Sequence, residues 1–140
     1  MKIDLVKVTS QIRILENDLE KLKDKSKIAL NDYLKDEDTQ DVVERRFQTA
    51  IESCLNVGNH LISVFDLKMP EDYASVFYSL AKGKIISVQL AEEMADLARF
   101  RNLLVHLYWK LDHKSIHSKI KKRISSLRKF LKEILAFIKP

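Results

Sequence analysis

Within one stretch of eight residues, Arg101-Asn102-Leu103-Leu104-Val105-His106-Leu107-Tyr108, four side chains are able to bind an anion or move a proton. A guanidinium presents a planar fork of donors that matches phosphate or carboxylate. An imidazole, with an unperturbed pKa of about 6.5, gives or takes a proton near neutral pH. On a helix turning 100° per residue, Tyr108 falls about 20° from Arg101, Asn102 about 40° from His106, and His106 about 140° from Arg101. One ideal helix therefore does not bring all four together. A cleft shared by two copies of the chain would do so, as would loosening of the helix near Tyr108. On residue chemistry alone Arg101 serves equally well as an ion-pair partner of Asp96 or Glu93, and His106 as a satisfied interface histidine.

The rest of the chain offers less. Cys54, the single cysteine, rules out an intramolecular disulfide and a multi-cysteine zinc site, and it falls on an apolar helix stripe where a buried thiol is expected rather than a nucleophile. His113 and His117 lie one turn apart, but with Asp112 as the only adjacent acid they read as solvated histidines, so neither a metal nor a cofactor is expected. Arg45 and Arg46 could extend an anion-binding surface, and so could Lys121, Lys122 and Arg123 in the last helix. Residues 113–140 hold nine Lys or Arg and one acid, a local net of +8, against a net of −3 for the first 112 residues. Such a concentration of charge favours an anionic partner such as RNA or an acidic protein surface, unless it is only a solvated face.

The elements that position these residues read as helices. Leu5, Val8, Ile12, Leu15, Leu19 and Leu22 follow helical spacing, and a polar joint falls within Asn31–Asp41. Val43, Phe47, Ala50, Cys54, Val57, Leu61 and Val64 define a long second helix. Pro70, Glu71 and Asp72 read as the start of a short helix to about Lys82, with Gly83 as its stop. Ile86 and Ser87 open a helix through about Tyr108. Asp112 caps the last helix, whose stripe of Ile116, Ile120, Ile124, Leu127, Leu131, Ile134 and Ile138 opposes its basic residues. In the helix ending near Tyr108, Leu97, Phe100, Leu103, Leu104 and Leu107 form the core face. The other side carries Ala95, Ala98, Arg99, Asn102, Val105, His106 and Trp109, which is small and apolar for a face in water. A second buried surface is expected there, formed by another copy of the chain about a twofold axis.

Composition agrees with this reading. The 140 residues are 46% hydrophobic and 32% charged, with only 2 Gly and 2 Pro, too few turn-formers for a strand-rich fold. One all-α domain over residues 1–140 is expected, an antiparallel bundle of four to five helices. With no apolar run near 20 residues and no secretory pattern at the N-terminus, no membrane association and a cytoplasmic location are expected.

The eight-residue string resembles the Arg, four residues, His, one residue, Tyr motif of HEPN-domain proteins, and in particular the HepT-like toxins of HEPN–nucleotidyltransferase toxin–antitoxin systems. Asn102 directly after the arginine fits the resemblance, as do Trp109, Asp112 and the run from Glu44-Arg45-Arg46-Phe47-Gln48 to Gly58-Asn59-His60. An arginine and a histidine five apart arise by chance in many helical proteins; the full string in an all-helical chain is far more specific. The resemblance implies a homodimer whose two motifs line a shared cleft and act as a metal-independent endoribonuclease on tRNA or mRNA. In that setting His106 carries a proton, Arg101 holds the phosphate and Asn102 orients the histidine or the substrate. Tyr108 lines the nucleotide site and is the residue to which a nucleotidyltransferase antitoxin attaches AMP. Two other functions fit the residues: a non-catalytic helical module that docks on a nucleotidyltransferase, and a general RNA-binding bundle acting through its basic helix.

Overall fold

The computed structural model describes residues 2–139 and contains six α-helices with no strand among them. They are α1 (Leu5–Lys25), α2 (Leu30–Lys35), α3 (Glu37–Val64), α4 (Tyr73–Lys82), α5 (Val88–His106) and α6 (His113–Ile138), with a 3₁₀ turn at Tyr108–Lys110. The bundle is all-helical, as the periodicity predicts. No helix of the described residues is long and apolar enough to cross a membrane.

α1 packs antiparallel on α3. The backbone N–H of Asp4 donates to His60 Nε2 at 3.0 Å, Asn56 donates to Gln11 at 3.1 Å, and Asp18 accepts from Thr49 and from Arg46. The inner stripe of α1 is buried from Val8 to Leu22, whereas Leu5, expected to begin it, is 57% exposed in the first turn beside the cap. α5 and α6 are antiparallel too, since Ser87 and Glu93 at the start of α5 meet Glu133 and Ser126, and Phe100 near its end meets Arg123. Edge-to-face pairs Phe47–Phe100 and Phe77–Phe130 tie α3 to α5 and α4 to α6 across the core.

The polar joint at Asn31–Asp41 contains a further short helix, α2, and α3 begins within it. Six residues are too few to show periodicity, and the anchor is a single side chain, Tyr33, fully buried against His113 and His117 of α6. Those histidines are half-buried rather than fully solvated. His117 Nε2 lies 2.7 Å from the Ile28 carbonyl and fastens α6 to the segment before α2, while His113 Nδ1 lies 3.4 Å from Glu44 without a hydrogen bond. Burial raises the Glu44 carboxyl above its usual range.

α4 starts at Tyr73, later than Pro70, because Asp72 caps it through the Ser75 N–H at 2.8 Å. Its end is a Schellman turn shifted one residue past the glycine. Gly83 keeps φ at −79°, Lys84 takes φ +63°, and the N–H groups of Lys84 and Ile85 return to Ala81 and Leu80. Gly83 serves close packing instead, since a Cβ there would stand 2.7 Å from Leu67. The small residues on the second face of α5 are partly accounted for within one chain: Ala95 and Ala98 are fully buried, while Arg99, His106 and Trp109 remain exposed.

Candidate active site

α5 delivers Arg101 and Asn102 from its last two turns and ends at His106. Leu107 leaves helical geometry (φ −130°, ψ 36°) while its N–H still bonds the Leu103 carbonyl, and the 3₁₀ turn follows. Tyr108 is thus outside the helix, and its expected place 20° from Arg101 on a straight helix does not hold.

Arg101 is held from three directions. Its Nε and Nη2 donate to one oxygen of Glu52, at 2.9 and 2.8 Å, and its Nη1 donates to Asn102 Oδ1 at 3.3 Å. The guanidinium carbon stands 4.9 Å from the centroid of the Tyr73 ring. Glu52 is itself steadied by Gln48 Nε2 at 3.2 Å, one turn earlier on α3. Its partner is therefore Glu52, and not the nearby acids of its own helix: Asp96 binds Arg99 at 2.7 Å and Glu93 faces α6. Three of the five N–H groups of Arg101 are engaged, which leaves two for an incoming oxyanion. Arg101 also lines a recess of about 310 Å³ together with Glu52, Leu55, Asn56, Asn59 and Tyr73.

His106 does not line that recess. It is exposed at the helix end, beside Leu107, Tyr108 (67% exposed) and Trp109 (65% exposed), whose last two rings pack edge to face at 5.4 Å. Asn102 turns its carbonyl oxygen to Arg101 rather than to the histidine. One chain therefore brings Arg101 and Asn102 together and leaves His106 and Tyr108 on open surface.

The other expected residues separate. Arg46 is committed to the buried carboxylate of Asp18 at 3.1 Å, whereas Arg45 is exposed. Lys121 and Lys122 are exposed on α6, but Arg123 turns inward, with its guanidinium 3.6 Å above the Phe100 ring. Cys54 is fully buried, and desolvation pushes its thiol up out of reactive range. Sequence reasoning missed Glu52, Gln48 and Tyr73. The i, i+4 pair Gln48–Glu52 was the available signal, since it puts two polar groups on one edge of an otherwise apolar helix.

The profile of the family Ribonuclease HepT-like matches residues 15–134. The tRNA nuclease HepT of Aphanizomenon flos-aquae is 25% identical over 138 residues, covering 97% of this chain and 92% of that protein. The mRNA nuclease HepT of Shewanella oneidensis is 25% identical over 97 residues, 69% of this chain and 73% of that protein. Among solved structures, YutE from Bacillus subtilis superposes with a TM-score of 0.83 at 22% identity, over 97% of this chain and 91% of that one. The tri-AMPylated HEPN toxin of Shewanella oneidensis, in complex with its MNT antitoxin, superposes with a TM-score of 0.84 at 20% identity, over 93% and 97%. The all-helical architecture is that of the HEPN toxins. The chain belongs to the HepT-like ribonuclease family and is an RNA-cleaving nuclease.

Proposed function

We propose that the protein cleaves RNA as a twofold dimer, without a metal, through Arg101, Asn102 and His106, and that a nucleotidyltransferase antitoxin silences it by attaching AMP to Tyr108. The observation that carries this reading is the split within one chain. Arg101 is locked over a recess, while His106 stands on an exposed apolar surface at the helix end, so a second copy is needed to close the site.

The chemistry needs only groups that the chain supplies. The ribose 2′-oxygen attacks the adjacent phosphorus and gives its proton to an imidazole. The bond from phosphorus to the 5′-oxygen breaks, that oxygen takes a proton, and a 2′,3′-cyclic phosphate and a 5′-hydroxyl result. The two His106 side chains of a dimer serve as base and acid. The unengaged N–H groups of Arg101 take up the charge that builds on the phosphate. Asn102 fixes the arginine. When the nucleotidyltransferase transfers AMP from ATP, the Tyr108 hydroxyl oxygen bonds to the α-phosphorus and pyrophosphate leaves. The added phosphate repels RNA and the adenosine blocks the mouth of the site. Acting on cellular RNA in this way places the protein in the cytoplasm.

Expression of the wild-type chain without its antitoxin is expected to arrest growth, and Arg101→Ala and His106→Ala are expected to relieve the arrest with the dimer intact. Arrest that persists in both variants would contradict the assignment. Intact-mass analysis after incubation with the nucleotidyltransferase and ATP should show added AMP on the wild type and none on Tyr108→Phe.

A further inference from the structure

Between α5 and α6 lies a cleft of about 570 Å³ that the reaction above does not use. Phe100 and Leu103 line it from α5, Lys119, Lys122 and Arg123 from α6, and Arg99 stands at its edge. Its two acids are already occupied. Glu93 accepts from Ser126 Oγ at 2.6 Å and lies 3.5 Å from Lys129, while Asp96 binds Arg99 at 2.7 Å. Among the described residues Lys119, Lys122 and Arg123 pair with no carboxylate.

Arg123 is the unusual member. Its guanidinium carbon stands 3.6 Å from the Phe100 ring centroid, and its Nη1 is enclosed with no hydrogen-bond partner. A buried donor without an acceptor is costly, and native proteins keep few of them. Burial also brings this guanidinium down to about 10, with Asp96 only partly opposing the shift. Among the described residues the Phe100 stack, and not an ion pair, holds this half-buried arginine, and its N–H groups other than Nη1 make no hydrogen bond either, which leaves them for a ligand carrying negative charge.

We propose that the α5–α6 cleft binds a phosphate of the RNA strand next to the cut, with Arg123, Lys119 and Lys122 holding the phosphate and the Arg123–Phe100 stack supporting a base. This rests on the ribonuclease reading and extends it. The cleft is placed for that role, because Arg99, Leu103 and His106 succeed one another at i, i+4 and i+7 along one side of α5. Phe100 precedes His106 by six residues, about 9 Å along the helix axis. A strand whose reacting phosphate sits at His106 therefore runs straight into the basic cleft. Stacking on a guanidinium or aromatic plane is tolerant of base identity, so the cleft adds affinity more than sequence preference.

The test uses the full-length His106→Ala protein, which leaves RNA uncut, and a fluorescein-labelled single-stranded RNA decamer followed by anisotropy. Adding Arg123→Met, or Lys119→Ala with Lys122→Ala, is expected to weaken binding about 5- to 10-fold and to flatten the dependence of log K on log salt by about 0.7 for each phosphate no longer neutralised. Arg123→Met should leave the melting temperature unchanged or raise it, since an unpaired buried charge is removed. Unchanged affinity and salt slope in both variants would overturn the proposal. So would a lower melting temperature for Arg123→Met with affinity intact, which marks a structural role alone. AMP that binds as tightly as the decamer and displaces it would reassign the cleft to a free nucleotide and overturn it as well. In the His106-intact protein, cleavage is read separately. Weakened binding by the cleft variants with no cleavage by wild type would keep the cleft and sink the ribonuclease reading; cleavage with unaltered binding would do the reverse.

Discussion

In the proposed site an arginine works only if its fork is aimed, and here the aiming is done by a carboxylate on another helix. Two charge-assisted bonds from Arg101 converge on one oxygen of Glu52, and Gln48 fixes that oxygen in turn. Glu52→Gln keeps the shape and removes the charge, which weakens both bonds and lets the guanidinium swing. The expected result is a fall of roughly 10- to 100-fold in the single-turnover cleavage rate at saturating RNA, with the melting temperature little changed. An unaltered rate would show that the pair only fastens α3 to α5. The string from Arg101 to Tyr108 was legible in the sequence because its four candidate residues are neighbours in the chain. Glu52 was not, because its meeting with Arg101 joins positions 49 apart and depends on how two helices pack. Arg123 was named from the sequence as an anion-binding candidate, but its inward turn was hidden for a related reason. A helix wheel separates basic from apolar faces, but the side chain at their border turns inward only when an aromatic such as Phe100 waits beneath it.

At the scale of elements, the helices with sustained periodicity were legible and their ends less so. α3 and α6 follow their apolar stripes closely, since each stripe is long enough to specify a face. α2 was hidden by its length; the end of α4 at Lys82, with Gly83 just past it, was legible, and only the left-handed turn one residue further on at Lys84 was not. That turn gives a prediction. Lys84 holds φ +63°, where a glycine meets no steric penalty, so Lys84→Gly should stabilise the fold by about 0.5–1 kcal/mol in urea titration. A loss of stability would mean that the Lys84 side chain makes contacts that outweigh its strain. Gly58 behaves oppositely. A Cβ there would stand 2.7 Å from Val76 Cγ1 and 3.2 Å from Leu80 Cδ1, where α3 and α4 approach. Gly58→Ala should cost about 1–3 kcal/mol despite the better helix former, and a neutral result would mean that α4 shifts freely.

At the scale of the whole molecule, one chain keeps the reactive groups apart. Ala95 and Ala98 vanish into the core of the single chain, yet Leu107, Tyr108 and Trp109 stay exposed beside His106, and Arg101 opens into a recess that His106 does not reach. A composite site makes a specific prediction. Mixing Arg101→Ala with His106→Ala yields heterodimers that keep one Arg101 and one His106, on different subunits. With both His106 side chains needed as base and acid, the mixture is expected to stay as inactive as each variant alone; cleavage restored by mixing would show that one Arg101 and one His106 from opposite subunits suffice and would contradict the two-histidine mechanism. The most direct measurement lies beneath all of this. Unmodified wild-type protein, checked by intact mass at Tyr108, and His106→Ala protein are incubated with end-labelled tRNA in excess EDTA. Cleavage by the wild type alone, leaving 2′,3′-cyclic phosphate ends, is the expected result. Cleavage by both proteins, or by the wild type only when a divalent metal is restored, would contradict a metal-independent nuclease centred on His106.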